Sequence, residues 1–244
     1  MAQTDSILHT EKVIKNFGGL TAVNRVSMDV KEGQIYGLIG PNGAGKTTFL
    51  NCISGAYSPS GGQVFFRGKE TTGSSADVMC RMGMSRTFQI SQPFPKLTVL
   101  ENVMVGAIFG AGGNGHKPPE ERAREALAFV EFPMAEDLPA QQLNTVQLKR
   151  LDLARALACN PALLLLDELA AGLTPGELDD LLDIIREIRD QGITIIVVEH
   201  IMRVIKGICD RVMVIEYGTQ IAEGTPDEVL NNPRVIKAYL GEGH

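Results

Sequence analysis

The run GPNGAGKTT, residues 40–48, constrains this chain more than any other stretch, because an apolar segment at 34–39 leads into it and a helix-like segment at 49–54 follows. A glycine-rich turn ending in Lys-Thr between strand and helix is the pattern of a phosphate-binding loop. Gly40, Gly43 and Gly45 let the backbone curl so that successive N–H groups converge on phosphate oxygens, where side chains would collide. The helix N-terminus adds free donors and a positive dipole end. Lys46 then reaches the β- and γ-phosphates as a point charge, and the Thr47 hydroxyl offers one ligand position to a hydrated Mg²⁺.

At 244 residues the chain is long for one compact domain, so one domain carrying an inserted subdomain is expected. The net charge of −6, with no Lys/Arg cluster, argues against nucleic acid as the primary partner. The longest apolar runs, 162–166 and 193–198, are too short to span a bilayer, and no basic-plus-apolar segment opens the chain. A cytoplasmic location is therefore expected. Cys52, Cys80, Cys159 and Cys209 are scattered without C-x-x-C spacing and read as reduced core thiols, neither a zinc site nor a disulfide framework. His9, His116, His200 and His244 form no paired metal-ligand pattern.

Alternating segments at 6–15 and 22–31, turned at Gly18-Gly19, read as an antiparallel edge ahead of the loop. Phe17 at that hairpin's tip is an aromatic face for a purine, or else a small hydrophobic plug. Further strands are expected at 63–67 and 84–89, with a short helix at 76–82. Thr98 and Glu101 make a capping box for a helix at 99–109, and Pro118-Pro119 opens another that runs to about Val130. The glycine-rich 110–115 reads as a connection. An amphipathic helix from Thr145 stops at Asn160-Pro161, and apolar strands at 162–166 and 193–198 flank a helix at 176–191. A helix at 202–208, a hairpin at 211–216 and 219–223, and a capping box at Thr225–Glu228 close the chain. The pattern is α/β: a mostly parallel sheet wrapped by helices, with ligands at the carboxyl ends of its strands.

Three polar clusters fall at such ends, after Ile39, Leu166 and Val198. Asp167 is placed to hold the Mg²⁺ that a phosphate loop needs. Glu168 can orient or deprotonate a water for in-line attack on a γ-phosphate, and His200 can contact that phosphate or fix the water.

With these residues assembled, the chain resembles the ATP-binding subunits of ABC transporters along essentially its whole length. GPNGAGKTT matches Walker A, Gln89 in RTFQ the Q-loop, LLLLDE at 163–168 Walker B, AAGLTP at 170–175 the D-loop, His200 the switch histidine and Phe17 the adenine-stacking aromatic. The resemblance implies a P-loop ABC ATPase domain over 1–244 with a helical subdomain at 90–150. It implies ATP contacts from Phe17, Asn42, Gly43, Ala44, Gly45, Lys46, Thr47, Thr48 and Gln89, and Mg²⁺ ligation by Thr47, Gln89 and Asp167. Catalysis would fall to Glu168 as general base with His200 and Lys46, while Gln89 links the metal to the membrane subunit.

The segments FGGLTAVNRVSMDV, RTFQ, AAGLTP and EGTPDEVLNNPRVIKAYLGE look like the ATPases of branched-chain amino acid importers, which work as unequal pairs. The implied partners are membrane permease subunits, a second ABC ATPase subunit in a heterodimer or homodimer, and indirectly a solute-binding protein. The implied location is peripheral, on the inner face of the cell membrane. Related systems for amides, urea or aromatic acids share these features.

One departure stands out. The signature LSGGQ reads Leu143-Asn144-Thr145-Val146-Gln147 here. In the family's head-to-tail dimer that segment approaches the γ-phosphate held by the partner's loop. Two β-branched residues in place of glycines should obstruct or reshape the approach, while Asn144 offers a hydrogen bond in place of the serine hydroxyl. The expectation is asymmetric: the site on this chain's own loop stays competent and the one it completes on its partner is weaker. Leu169 and Thr174 are milder departures, where proline and Asn or Asp are usual. Two alternatives stay open, an ATP-binding regulatory subunit with weak hydrolysis and a soluble, non-transport ABC ATPase.

Overall fold

A computed structural model describes residues 6–111 and 117–240. Residues 112–115 of the glycine-rich connection, His116 and His244 lie outside the described residues. Two sheets carry the fold. The larger has six strands in the order β10 (Thr219–Gly224), β9 (Arg211–Glu216), β3 (Ile35–Ile39), β8 (Thr194–Val198), β7 (Leu163–Asp167) and β6 (Met84–Arg86). All neighbours are parallel except β10, which pairs antiparallel with β9. The smaller, antiparallel sheet runs β2 (Leu20–Lys31), β1 (Ser6–Phe17), β4 (Gly61–Phe66), β5 (Lys69–Glu70). The first hairpin therefore builds a second layer instead of extending the edge of the parallel sheet.

Strand alternation explains why two cores form. In β7, Leu164 and Leu166 face one core while Leu163 and Leu165 face the other, and Ile195/Val197 against Ile196/Val198 repeat the split in β8. One core packs the sheet against α1 (Lys46–Ile53), α2 (Ala76–Arg81) and the antiparallel sheet, with Phe49, Leu50 and Ile53 of α1 fully buried between the layers. The other packs it against α3 (Val99–Phe109), α4 (Pro119–Phe129), α5 (Thr145–Ala158), α6 (Pro175–Asp190) and α7 (Met202–Ile208). Two short helices, α8 (Pro226–Leu230) and α9 (Pro233–Leu240), finish the chain against β9 and β10.

Helices α3, α4 and α5 pack on one another through Val103, Ala107, Ala123, Leu127 and Ala154. Capping boxes at Thr98 and Thr225 form as expected, and Thr174 with Glu177 makes another at the start of α6. The strand expected to end at Gln89 stops at Arg86: Thr87 still donates its N–H to the Leu165 carbonyl, but the next rung is lost because the Asp167 N–H goes to the Thr87 hydroxyl. Gln89 is thereby placed on a loop. No helix among the described residues is long and apolar enough to cross a membrane.

Candidate active site

The phosphate loop leaves β3 and enters α1 at Lys46, so Lys46, Thr47 and Thr48 form the first helical turn. Gly45 caps that turn in the left-handed region (φ +101°), with no side-chain cap and no acidic residue in the first turn. The leading N–H groups stay free for an anion, and the dipole is unopposed. The demand for glycine comes from protein neighbours as much as from phosphate: a Cβ on Gly40 would sit 2.0 Å from the Ile215 carbonyl oxygen, and one on Gly45 2.3 Å from that of Ala22. Gly43 (φ +76°) faces open space. Lys46 Nζ donates to the Gly40 and Pro41 carbonyls at 2.7 and 3.0 Å. Burial lowers its pKa, and Glu168 and Asp167 act in the opposite sense.

A cleft of about 1000 Å³ opens over this loop. Phe17, Asn42, Gly43, Ala44, Gly45, Lys46, Thr47, Thr48, Gln89, Glu168 and His200 all line it. Three of these segments, the loop, Glu168 and His200, meet because β3, β7 and β8 are neighbours in one parallel sheet and their carboxyl ends coincide; Phe17 comes from the end of β1 and Gln89 from the loop after β6.

Glu168 follows β7 with φ +49°, a strained conformation for a non-glycine residue, fixed by its N–H donating to the Val198 carbonyl at 2.9 Å. Gln89 Nε2 donates to Glu168 Oε2 at 2.5 Å. The buried Glu199 secures the following segment by accepting from the Ala170 N–H at 2.8 Å. His200, next along, is exposed on the cleft wall.

Phe17 is 44% exposed at the rim, which excludes a buried plug. Its ring meets Tyr57 edge-on at 5.5 Å, and the Lys15 ammonium lies 5.1 Å from its centroid.

Asp167 differs from the others, being 1% exposed and off the cleft lining. Its Oδ2 pairs with Arg86 at 3.3 Å, and Arg86 Nη1 donates to Asn51 Oδ1 at 2.5 Å. Burial raises the Asp167 pKa, with Arg86 and Lys46 opposing and Glu168 reinforcing. Oδ1 has no protein partner. A buried, unpartnered carboxylate oxygen within the field of Lys46 and Glu168 fits a magnesium-bound water. Among the described residues no group of three or more His, Cys, Asp or Glu converges on one point, so a cation here would draw most of its ligands from phosphate and water.

Sequence reasoning missed Tyr239, Arg86 and Asn51. Tyr239 reaches the cleft from α9 and shares a hydrogen bond with the Gly40 backbone. Its only sequence signal is an aromatic residue on a C-terminal amphipathic helix. At α5, Asn144 Oδ1 accepts from the Gln147 N–H and Gln147 Oε1 from the Asn144 N–H, each at 2.9 Å. Asn144 is thus the helix cap, with Thr145 exposed and Val146 half-buried behind it.

Residues 23–171 match the family model of the ABC transporter, and residues 219–244 that of the branched-chain amino acid ATP-binding cassette transporter. The chain is 40% identical over 245 residues to the probable branched-chain amino acid transport ATP-binding protein LivG of Archaeoglobus fulgidus, covering 96% of this chain and 95% of that protein. It is 39% identical to the high-affinity branched-chain amino acid transport ATP-binding protein BraF of Pseudomonas aeruginosa, covering 97% and 98%. Among solved structures, a nucleotide-free ATP-binding cassette from an ABC transporter superposes with a TM-score of 0.88 at 33% identity, covering 97% of this chain and all of that one. The dimeric post-hydrolysis state of the ATP-binding cassette MJ0796 bound to ADP and Pi gives 0.82 at 27%, covering 90% and 98%. Agreement at this length and identity extends well past shared architecture: the chain belongs to the ABC transporter family, as one of its ATP-binding cassettes, which are ATPases.

Proposed function

We propose that this chain is the ATP-hydrolysing subunit of an importer for branched-chain amino acids or related small polar solutes. It would act from the cytoplasmic face of the cell membrane, docked on permease subunits and paired with a second, unequal ATPase subunit, with a solute-binding protein upstream. The carrying observation is that Lys46, Gln89, Glu168 and His200 face one cleft built on an open phosphate loop. The near-full-length likeness to proteins named for branched-chain amino acid transport supports the solute class. The likeness to a dimeric cassette supports pairing.

In this reading the free N–H groups of the loop and Lys46 bind the phosphates, and Phe17 holds the adenine. Thr47, Gln89 and Asp167 would hold Mg²⁺, which when bound neutralises charge on the β- and γ-phosphate oxygens. Glu168 takes a proton from the attacking water as its oxygen bonds to the γ-phosphorus and the bond to the bridging oxygen breaks, leaving ADP and phosphate. Gln89 donates to one of the two Glu168 carboxylate oxygens, which orients the general base and leaves the other oxygen for the water. His200 positions the water or the γ-phosphate.

The pair is asymmetric: Asn144-Thr145-Val146 forms a poorer lid for the partner's nucleotide than two glycines would. That same departure favours a second reading, an ATP-binding regulatory subunit with weak hydrolysis. ATP turnover by the purified chain, alone and with its partner subunit, decides between them. The main reading expects negligible turnover alone, a rise on mixing, and collapse in Glu168→Gln. Full turnover by the chain alone removes the asymmetry, and none on mixing favours the regulatory subunit.

A further inference from the structure

Cys80 and Cys159 are remote in sequence, yet topology brings them together. Cys80 stands four residues before Met84 and Cys159 four before Leu163, and Met84 and Leu163 are direct partners where β6 pairs with β7. Both approaches to that ladder are tied by the Gly83 carbonyl, which accepts from the Ala162 and Leu163 N–H groups at 2.8 and 3.1 Å. The end of α2 and the end of α5 consequently meet at the same level, which sets the two thiols against each other. Cys159 is seated firmly. Its Sγ lies 3.5 Å from the Arg155 carbonyl, and Gly110 packs so closely that a Cβ there would fall 2.4 Å from the Cys159 Cα.

We propose that Cys80 and Cys159 form a redox-reactive dithiol, at which hydrogen peroxide oxidises Cys80 and Cys159 closes the product to a disulfide stapling α5 to α2. The roles follow from the environments. The contact with Cys159 lowers the Cys80 thiol below its ordinary value, with Arg81 helping and burial and Asp77 opposing. The same contact and burial push Cys159 up, against Arg155 and Arg122. Both thiols are half-buried, and the lowered one, Cys80, is assigned as nucleophile with Cys159 as the resolving thiol. The Cys80 thiolate attacks one peroxide oxygen and the O–O bond breaks, leaving a sulfenic acid and hydroxide, which takes a proton to become water. The Cys159 thiol then gives up its proton, its sulfur attacks the Cys80 sulfur, the S–S bond forms, the S–O bond breaks, and a second water departs. Two thiols and one peroxide thus yield one disulfide and two waters. Cys52 and Cys209 are internal controls: both are buried, with burial pushing Cys52 up to about 11 and Cys209 up as well.

The test treats the reduced full chain with graded hydrogen peroxide, blocks remaining thiols with iodoacetamide and maps peptides without reduction. A Cys80–Cys159 cross-linked peptide that dithiothreitol removes is expected, with Cys52 and Cys209 still alkylated. In Cys159→Ala, dimedone should trap Cys80 as its sulfenic acid, and the midpoint pH for Cys80 alkylation should rise toward the ordinary cysteine range, about 8.5. If Cys80 and Cys159 both remain alkylatable after peroxide, the dithiol is refuted. Cross-links of Cys80 or Cys159 to Cys52 or Cys209, or between chains, in place of the Cys80–Cys159 peptide refute it too, whether or not Cys159→Ala folds.

Discussion

Two helix N-termini divide this molecule's business, and they are built in opposite ways. At α1 the cap is a left-handed glycine that offers no side chain, so the first-turn donors are left for a ligand. At α5 the cap is Asn144, and with Gln147 it satisfies two of the end's own donors in a reciprocal box. One end is open and less stable for it; the other is closed and about 1 kcal/mol better capped. In the proposed dimer both would face phosphate, the first from below and the second across the interface. The difference teaches that a helix end binds an anion only insofar as its own chain leaves donors unspent.

That contrast can be broken at several points. The largest effect is expected at the open end: Glu168→Gln should lower steady-state turnover by roughly 10²–10⁴ while leaving nucleotide binding, followed by fluorescent-nucleotide titration, intact. Lys46→Ala should weaken ATP binding by roughly tenfold to a hundredfold, the worth of one charged hydrogen bond to phosphate. If it does not, the open end binds by backbone alone.

Thr145→Gly combined with Val146→Gly sharpens the other side. Turnover at the partner's loop in the mixed pair should rise, while α5 loses about 1–2 kcal/mol, seen as a lower Tm. Unchanged turnover would mean that the closed end, and not its side-chain bulk, limits that site.

The smallest effect concerns Asp167. Its folded-state pKa is raised, so the folded protein holds the proton more tightly than the unfolded chain; that stabilisation is present below the ordinary carboxylate range and is lost as pH rises through the folded value. At neutral pH the ionised carboxylate works against folding. Asp167→Asn should therefore raise Tm at pH 7 by roughly 2–4 °C while lowering turnover, and the gain in Tm should shrink as the pH is taken down into the carboxylate range. A lower Tm at pH 7 would show that the Arg86 pair outweighs the desolvation.

How much of this was legible depends on the range of each interaction. The capping boxes at Thr98 and Thr225 were readable because partners three residues apart obey local geometry. The box at Thr174 carries the same signal and was overlooked behind Pro175, and the Asn-x-x-Gln pattern at Asn144 was read as a contact to a partner instead of a cap. The gathering of Gly40, Glu168 and His200 was inferable because parallel buried strands share a carboxyl end. Arg86 beside Asp167, Tyr239 on Gly40 and Cys80 against Cys159 were not inferable. Each depends on strand register or on docking of a terminal helix, which no short-range pattern encodes.

The grip of Lys46 on the Gly40 and Pro41 carbonyls has a thermodynamic corollary. Loading this loop is an exchange: the ammonium trades two carbonyl acceptors for phosphate oxygens, and what a calorimeter records is the difference. The enthalpy of nucleotide binding should therefore be smaller than the final contacts suggest. In return, the resting loop already has its lysine desolvated and folded inward, so little reorganisation remains when the anion arrives.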